Sequence, residues 1–408
     1  MIISSAMGSG IFLGAVQLLN PLFALRLGYR PTEIGALSAA AALAYSVASL
    51  GGGALAARLG IRRMMLVGIL ITAAGMALGP LAMLTPGAGQ FPMLIASQLL
   101  ANLGWAMKQV SLIASLAGAT TPATRTGAYA VHEASCGAAA LAGALIGGAL
   151  PALIAGILGV TTADARPYAL VIGTAAAISV LAIVPALRVA PPAAVRPGTA
   201  ARRGKLRLDL ALLLVIACGI GTTAGQGAAK TFASVYLDTT YSLPTSLIGT
   251  FVSVGLGASV IGALASGRLA RRMSNGQIML VGSAAIAGGL LLLGLGTGVP
   301  GAMLGIVLVY GVLGLWRPAF QGAQMEIAAP ESRAAVSGIS AMGMSIGYGF
   351  MAYGGGAIAA GAGYPAVFLT GAAVTLLAAI LSGVLSHRMA GRPPPEEEPP
   401  GAVGPEEV

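Results

Sequence analysis

Twelve apolar segments, each long enough to cross the hydrocarbon core of a bilayer, run through this 408-residue chain. A membrane-spanning helix needs about 20 apolar residues, because each residue rises about 1.5 Å and the core is about 30 Å thick. Backbone groups in lipid find no water to bond, so each segment is predicted to be an α-helix. The segments cover 2–25, 33–56, 64–85, 91–117, 127–157, 167–186, 209–236, 244–266, 277–297, 301–328, 334–360 and 364–386. Two ends are marked: Pro151 is expected to kink or end segment five, and a turn signal at 361–365 separates the last two segments.

The composition excludes a soluble protein. Hydrophobic residues make up 57% of the chain and charged residues only 8%, whereas soluble domains carry about 25% charged residues. The net charge of +10 does not indicate a nucleic-acid partner, because the basic residues lie in short clusters between apolar segments. Cys136 and Cys218 both fall in apolar segments, which predicts buried free thiols rather than a disulfide framework.

The distribution of positive charge predicts the orientation of the helices. With the N-terminus placed inside, sixteen of the 22 lysines and arginines fall in inner connections or the C-terminal tail. Only Arg26, Arg30 and Arg166 fall in outer connections. Because lysine and arginine concentrate on the cytoplasmic side of membrane proteins, we expect both termini in the cytoplasm. The expected location is the cytoplasmic (inner) membrane of a bacterium.

A polar stretch rich in proline and arginine divides the twelve segments six and six. The expected organisation is an N-terminal six-helix bundle (1–186), a cytoplasmic central loop (187–208), a C-terminal six-helix bundle (209–390) and a disordered acidic tail (391–408). The fold class is therefore predicted to be an all-α membrane protein.

Weak sequence similarity relates the two halves in matching order. Gly53-Ala54-Leu55-Ala56 recurs 209 residues later as Gly262-Ala263-Leu264-Ala265, and Met65–Gly68 recurs as Met279–Gly282. The two tryptophans, Trp105 and Trp316, lie 211 residues apart in the fourth segment of each half. A nearly constant offset of about half the chain indicates two pseudo-symmetric bundles, an arrangement in which secondary transporters place their substrate between the halves.

The segment Gly53–Arg63 (GALAARLGIRR) resembles the cytoplasmic signature of the major facilitator superfamily, and its degraded second copy follows segment eight. The resemblance implies the twelve-helix fold of that family, alternating access to a central cavity, and a monomeric carrier. One position differs, since the family usually has an Asp where this chain has Ala57. The gating motif implied by the resemblance consists of Gly53, Arg58, Gly60, Arg62 and Arg63. Alternatively, the arginines serve only to hold the loop inside the cell.

Four charged residues fall within the segments, where each charge costs about 2.5–3.5 kcal/mol on insertion scales. Lys108, Lys230 and Arg317 lie in segments four, seven and ten, and Glu133 lies in segment five. The resemblance implies that segments one, four, seven and ten line the cavity. The candidate substrate residues are Gln17, Asn20, Trp105, Lys108, Gln226, Lys230, Trp316, Arg317 and Gln321.

Each charged candidate has a structural alternative. Lys108 either contacts the substrate or forms an ion pair with Glu133, and Lys230 either lines the cavity or extends toward the membrane surface. Glu133 and His132 are the candidates for proton coupling, and His132 is equally compatible with a hydrogen-bonded core residue.

These features predict a secondary transporter of a small solute. More cations than acids in the cavity favour an organic anion or polar metabolite, with a proton as the expected coupling ion. The alternative is proton-coupled efflux of hydrophobic or amphipathic drugs. An enzyme is not expected, because the segments contain no nucleophile–base pair, no metal cluster and no nucleotide-binding motif, so we expect no cofactor and no metal. Short outer connections disfavour a receptor.

Overall fold

The computed structural model describes residues 10–119, 122–187, 210–328 and 333–390. These residues form helices joined by short turns, and no β-strand occurs among them. Eight helices in these ranges are long and apolar enough to cross a membrane, and one of them, Val336–Arg388, contains two of the predicted segments. A shorter apolar helix is also present at Arg166–Val180. The predicted all-α membrane architecture is confirmed. The predicted tail and all but the first residue of the central loop lie outside the described residues.

Helices within the described ranges overlap each of the twelve predicted segments, and we number these helices α1 to α12. A π-helical turn, Ile11–Val16, leads into α1. The first half comprises α1 (Gln17–Arg26), α2 (Pro31–Leu59), α3 (Ile61–Leu81), α4 (Gln90–Ala119), α5 (Pro122–Leu158) and α6 (Arg166–Val180, continued by Ile183–Leu187). The second half comprises α7 (Leu210–Tyr241), α8 (Thr245–Leu269), α9 (Asn275–Gly294) and α10 (Gly298–Gly311 and Leu313–Ile327). Helices α11 and α12 are the two parts of Arg333–Ala390 on either side of Gly363.

Proline and glycine act differently at two predicted boundaries. Helix α5 does not end at Pro151 but continues to Leu158, because an overlong helix can lose one backbone hydrogen bond and persist. The turn expected at 361–365 is present, since Gly363 has a φ of 81° inside an otherwise helical stretch. Only glycine adopts that angle without strain, so the chain bends there.

Each half contains the same glycine-lined helix seam. A methyl group on Gly68 of α3 would lie 2.8 Å from the Gly104 carbonyl oxygen of α4. At the corresponding seam of the second half, a methyl group on Gly289 of α9 would lie 2.7 Å from the Gly305 carbonyl oxygen of α10. Missing side chains let helix backbones approach closely in membranes, where no hydrophobic force drives helices together. Both halves therefore use glycine contacts between their third and fourth helices, although the glycines concerned occupy different positions of the repeat.

The two halves meet along two further helix pairs, α2 with α11 and α5 with α8. Gly349 of α11 faces Ala42 of α2, with 3.1 Å between the Ala42 methyl carbon and the position of a methyl group on the glycine. Gly148 of α5 faces Gly249 of α8, where the corresponding distance to the Gly249 Cα is 2.9 Å. We call the end of the bundle that holds Arg26 and Asp238 the outer end, following the charge-based orientation, and the opposite end the inner end.

Substitution of two neighbouring glycines of α9 tests the seam. Gly289→Leu should lower the free energy of unfolding by about 1–3 kcal/mol, because the new side chain collides with α10. Gly288→Leu is the matched control, since a methyl group there meets no atom within 4 Å. Thermal melting of both variants in detergent measures the difference. Equal melting temperatures would contradict the assigned packing.

Candidate transport site

An ion pair joins the two halves at the outer end. Arg26, the last residue of α1, donates from Nη1 to Oδ2 of Asp238 on α7 (2.8 Å) and from Nη2 to Oδ1 (2.5 Å). The side chains are only 16% and 11% exposed. Burial alone would lower the pKa of Arg26, but hydrogen bonds to Asp238 and Tyr168 outweigh it and raise the pKa. A two-bond arginine–carboxylate pair fixes orientation as well as distance.

Neighbouring contacts reinforce this closure. The Tyr168 hydroxyl of α6 and the Thr245 hydroxyl of α8 are 2.9 Å apart, and the Arg26 guanidinium lies 5.6 Å from the centre of the Tyr168 ring. The Arg26 Nε also donates to the Thr162 carbonyl oxygen at 2.9 Å. On the opposite side of the outer end, a methyl group on Gly356 of α11 would lie 2.8 Å from the Thr32 Cα of α2. We call these contacts together the outer gate.

Sequence patterns gave no indication of the outer gate. Arg26 was placed in an outer connection and Asp238 at a helix boundary, and the two residues are 212 positions apart. One feature of the sequence is nevertheless consistent with the Arg26–Asp238 ion pair. Both residues lie in the last turn of the first helix of their half, at the same end of the bundle, and they carry opposite charges.

Below the outer gate the interface between the halves becomes apolar. Leu18 and Ala144 of the first half belong to the same buried cluster as Ile248 and Val252 of the second half. The Ser253 hydroxyl of α8 donates to the Leu141 carbonyl oxygen of α5 at 3.1 Å. The closed outer end is therefore continuous with packed helix surface.

The second half presents two cations and an aromatic ring on facing helices. Lys230 Nζ of α7 lies 5.6 Å from the centre of the Tyr310 ring of α10. Lys230 therefore contacts residues of the bundle instead of extending alone toward the surface. Arg317 lies two helical turns beyond Tyr310 on α10. Gln226, one turn before Lys230 on α7, is buried.

Arg317 and Gln321 are exposed although they lie within α10. Residues 310 and 317 are seven apart, which places them on one helix face. Because Tyr310 on that face meets Lys230 of α7, the face points into the bundle. The exposure of Arg317 and Gln321 therefore indicates an interior surface that opens toward the inner end, away from the outer gate. We call the surface formed by Lys230, Tyr310, Arg317 and Gln321 the cationic face.

Lys108 lies in the first half, apart from this face. Its side chain is 5% exposed and interacts electrostatically with Cys136 of α5. The Cys136 sulfur in turn lies 3.6 Å from His132 Nε2, and His132 is only 2% exposed. The side chain of Glu133 falls outside the described residues, so the expected ion pair with Lys108 stays a prediction.

The remaining cavity candidates occupy two different environments. Gln17 on α1 is exposed and Asn20 is half-buried. Trp105 of α4 is half-buried, and its ring centre lies 5.1 Å from that of Tyr45 of α2. Trp316, by contrast, is 0% exposed. It stacks on Phe320 at 4.8 Å and donates from Nε1 to the Ser283 hydroxyl at 3.0 Å, which places it in the packed core of the second half.

The signature loop has one defined tether. Gly60 joins α2 to α3 with a φ of 81°, an angle that favours glycine, and its N–H donates to the Ala56 carbonyl oxygen at 2.9 Å. Arg62 Nη2 donates to the Leu187 carbonyl oxygen at the end of α6, at 2.6 Å. Arg58 and Arg63 are exposed. The surroundings of Gly53 lie outside the described residues.

Comparison with known proteins agrees with this architecture. The family model described as Major Facilitator Superfamily matches residues 1–339. No curated protein sequence matches the chain. Among solved structures, the nucleoside transporter NupG superposes with a TM-score of 0.73 at 12% identity, covering 94% of this chain and 98% of that one.

Two further solved structures share the fold. The xylose transporter XylE from E. coli, in an inward-open conformation, gives a TM-score of 0.71 at 14% identity and covers 94% of this chain and 93% of its own. A bacterial homologue of the human lysosomal transporter Spinster, inward-facing and occupied, gives 0.69 at 14% identity, with coverage of 95% and 94%. Identities this low establish the fold alone. With the family model matching most of the sequence, this integral, multi-pass membrane protein belongs to the Major Facilitator Superfamily.

Proposed function

We propose that the protein is a secondary transporter that moves a small polar solute, preferably an organic anion, across a bilayer by alternating access. The observation that carries the proposal is an asymmetry between the two ends. The halves are joined at the outer end by the Arg26–Asp238 ion pair, while the polar residues Arg317 and Gln321 are exposed inside the bundle. A carrier needs a barrier on one side of its site at a time, and the outer gate meets that requirement.

The interface also suits reversible opening. The outer gate depends on hydrogen bonds and an ion pair, which water can replace, and on close glycine contacts between backbones. Packed interfaces of this kind have discrete arrangements rather than continuous deformation. We infer that the two six-helix halves rock against each other around the central face, with the Gly60 turn and the Arg62 tether holding the inner loop of the first half.

Proton coupling is assigned to α5. His132 is buried beside Cys136, which interacts with Lys108 of α4. Protonation of His132 would therefore change the electrostatic environment of Lys108. Glu133 adjoins His132 in the sequence and is the second coupling candidate. We propose a monomer in the bacterial inner membrane with both termini in the cytoplasm, as the distribution of basic residues indicates.

Efflux of amphipathic compounds is the second candidate function. The contact between Trp105 and Tyr45 supports it, because paired aromatic rings on α4 and α2 offer an apolar surface to a flat ligand. The cationic face opposes it for cationic drugs, which Lys230 and Arg317 would repel.

Spin-label distances test alternating access without any ligand. In a background with Cys136 and Cys218 replaced by Ala, labels at Ala88→Cys and Thr240→Cys report the outer end, and labels at Leu59→Cys and Ala270→Cys report the inner end. All four positions are exposed. Asp238→Asn removes charge-assisted hydrogen bonds worth about 1.5–3 kcal/mol each, so the open population of the outer end should rise about tenfold.

The inner pair should shorten as the outer pair lengthens. Asp164→Asn is the matched control, since its partner Arg166 lies in the same half and both residues belong to an outer connection. If Asp238→Asn leaves the outer distances unchanged, or both ends open together, the alternating-access proposal is wrong.

Ethidium accumulation separates the two candidate functions. Cells that express the protein should accumulate this flat cation to the same level as cells with an empty vector, because the cationic face repels it. The measurement is whole-cell fluorescence with and without a protonophore. Reduced accumulation that the protonophore restores would favour drug efflux over anion transport.

A further inference from the structure

We propose that Lys230 and Arg317 jointly bind one oxyanion group, a carboxylate or a phosphate, of the transported molecule. This inference rests on the proposed function and makes it specific, because it assigns the charged part of the substrate to the second half of the protein. It also separates Lys230 and Arg317 from Lys108, the third cation of the spans.

The first argument is the lack of a resident counter-ion. In the part of the chain that the structure describes, the ion pairs are Arg26–Asp238 and Arg166–Asp164, and neither includes Lys230 or Arg317. Glu326, the acid that follows on α10, is engaged by the Asn275 amide nitrogen at 2.5 Å. Two cations inside a membrane protein without an acidic partner are costly unless a ligand supplies the negative charge.

The second argument is their mutual position. Lys230 of α7 meets Tyr310 of α10, and Arg317 follows Tyr310 by two helical turns on α10, so two like charges that repel each other lie along one helix interface. An oxyanion between them is attracted to both and turns that repulsion into two favourable contacts. The planar arginine fork can donate two bonds to one carboxylate or phosphate, while the lysine ammonium acts as a point charge that suits either.

The third argument is pre-organisation. The Tyr310 ring holds the Lys230 ammonium at 5.6 Å from its centre, a cation–π distance, and so limits the rotamers of a long flexible side chain. The Tyr310 Cβ also packs against α8, where a methyl group on Gly255 would lie 2.8 Å from it, so a third helix encloses the base of this side chain. Less conformational entropy is then lost when an anion binds.

The fourth argument is access. Arg317 is exposed and Lys230 is half-buried, so an anion from the inner end meets the arginine first and the lysine at greater depth. Gln321 lies one turn beyond Arg317 on the same exposed face, where its amide can bond a neutral polar part of the substrate. Lys108 already interacts with Cys136 of its own half and is therefore not assigned to the anion.

Thermal melting of the full-length protein in detergent tests the assignment. The probes are benzoate, succinate, citrate, inorganic phosphate and glycerol 3-phosphate, each compared with chloride at equal ionic strength, with benzamide as the neutral analogue of benzoate. We expect at least one carboxylate or phosphate to raise the melting temperature in a saturable manner and benzamide to have no effect. Comparison of the carboxylate probes with the phosphate probes shows which of the two groups the site binds.

Variants then locate the site. Lys230→Met and Arg317→Gln should each weaken the stabilising anion about tenfold or more, the loss expected for one charge-assisted contact, whereas Lys230→Arg should retain part of the effect. Arg166→Gln, which removes a cation from an outer connection, should leave the anion affinity unchanged. Arg317 is exposed, so Arg317→Gln keeps the test valid even if Lys230→Met fails to fold.

The proposal is overturned if no carboxylate or phosphate stabilises the wild type, or if stabilisation survives in both Lys230→Met and Arg317→Gln. Such a result would leave alternating access standing, because the spin-label experiment reads the outer gate without any ligand. If Asp238→Asn does not change the spin-label distances at the outer end, the result instead contradicts the carrier function on which this assignment rests.

Discussion

Closure of the outer end by Arg26 and Asp238 is the interaction on which the mechanism depends. Arg26 is the last residue of α1, Asp238 lies in the last turn of α7, and both side chains are mostly enclosed. Removing one partner would leave the other charge buried, so this contact should contribute more to stability than an exposed surface ion pair. The Tyr168–Thr245 hydrogen bond and the apolar cluster around Leu18 extend the closure toward the middle of the membrane.

Glycine contacts between helices and charged side chains inside the bundle account for the other main features of the structure. Seams such as Gly289–Gly305 fix helices within a half, and Gly148–Gly249 brings the two halves into backbone contact. Interior polar groups are few, and their placement is asymmetric. In the second half, Lys230 and Arg317 face a surface that is open from the inner end, whereas Lys108 in the first half is enclosed beside Cys136.

Most of the fold was predictable, because lipid forces every span to satisfy its own backbone and leaves a clear hydropathy pattern. The bend at Gly363 followed from a local turn signal, and the continuation of α5 beyond Pro151 agrees with the predicted extent of segment five to residue 157. The assignment of Lys230 and Arg317 to the substrate site stays a prediction. The packed position of Trp316 against Ser283, and the Arg26–Asp238 pair, were not predictable from periodicity. Both depend on tertiary contacts between residues far apart in the chain.

Side-specific labelling of the cationic face tests the account most directly. In a protein without Cys136 and Cys218, Gln321→Cys is exposed to a membrane-impermeant maleimide from either side of oriented vesicles. A disulfide between Ala42→Cys and Gly349→Cys, whose methyl positions are 3.1 Å apart, holds the outer end closed. The account predicts fast labelling from the inner side, slow labelling from the outer side, and loss of only the outer-side labelling when the disulfide forms. Outer-side labelling that persists with the disulfide intact would contradict it.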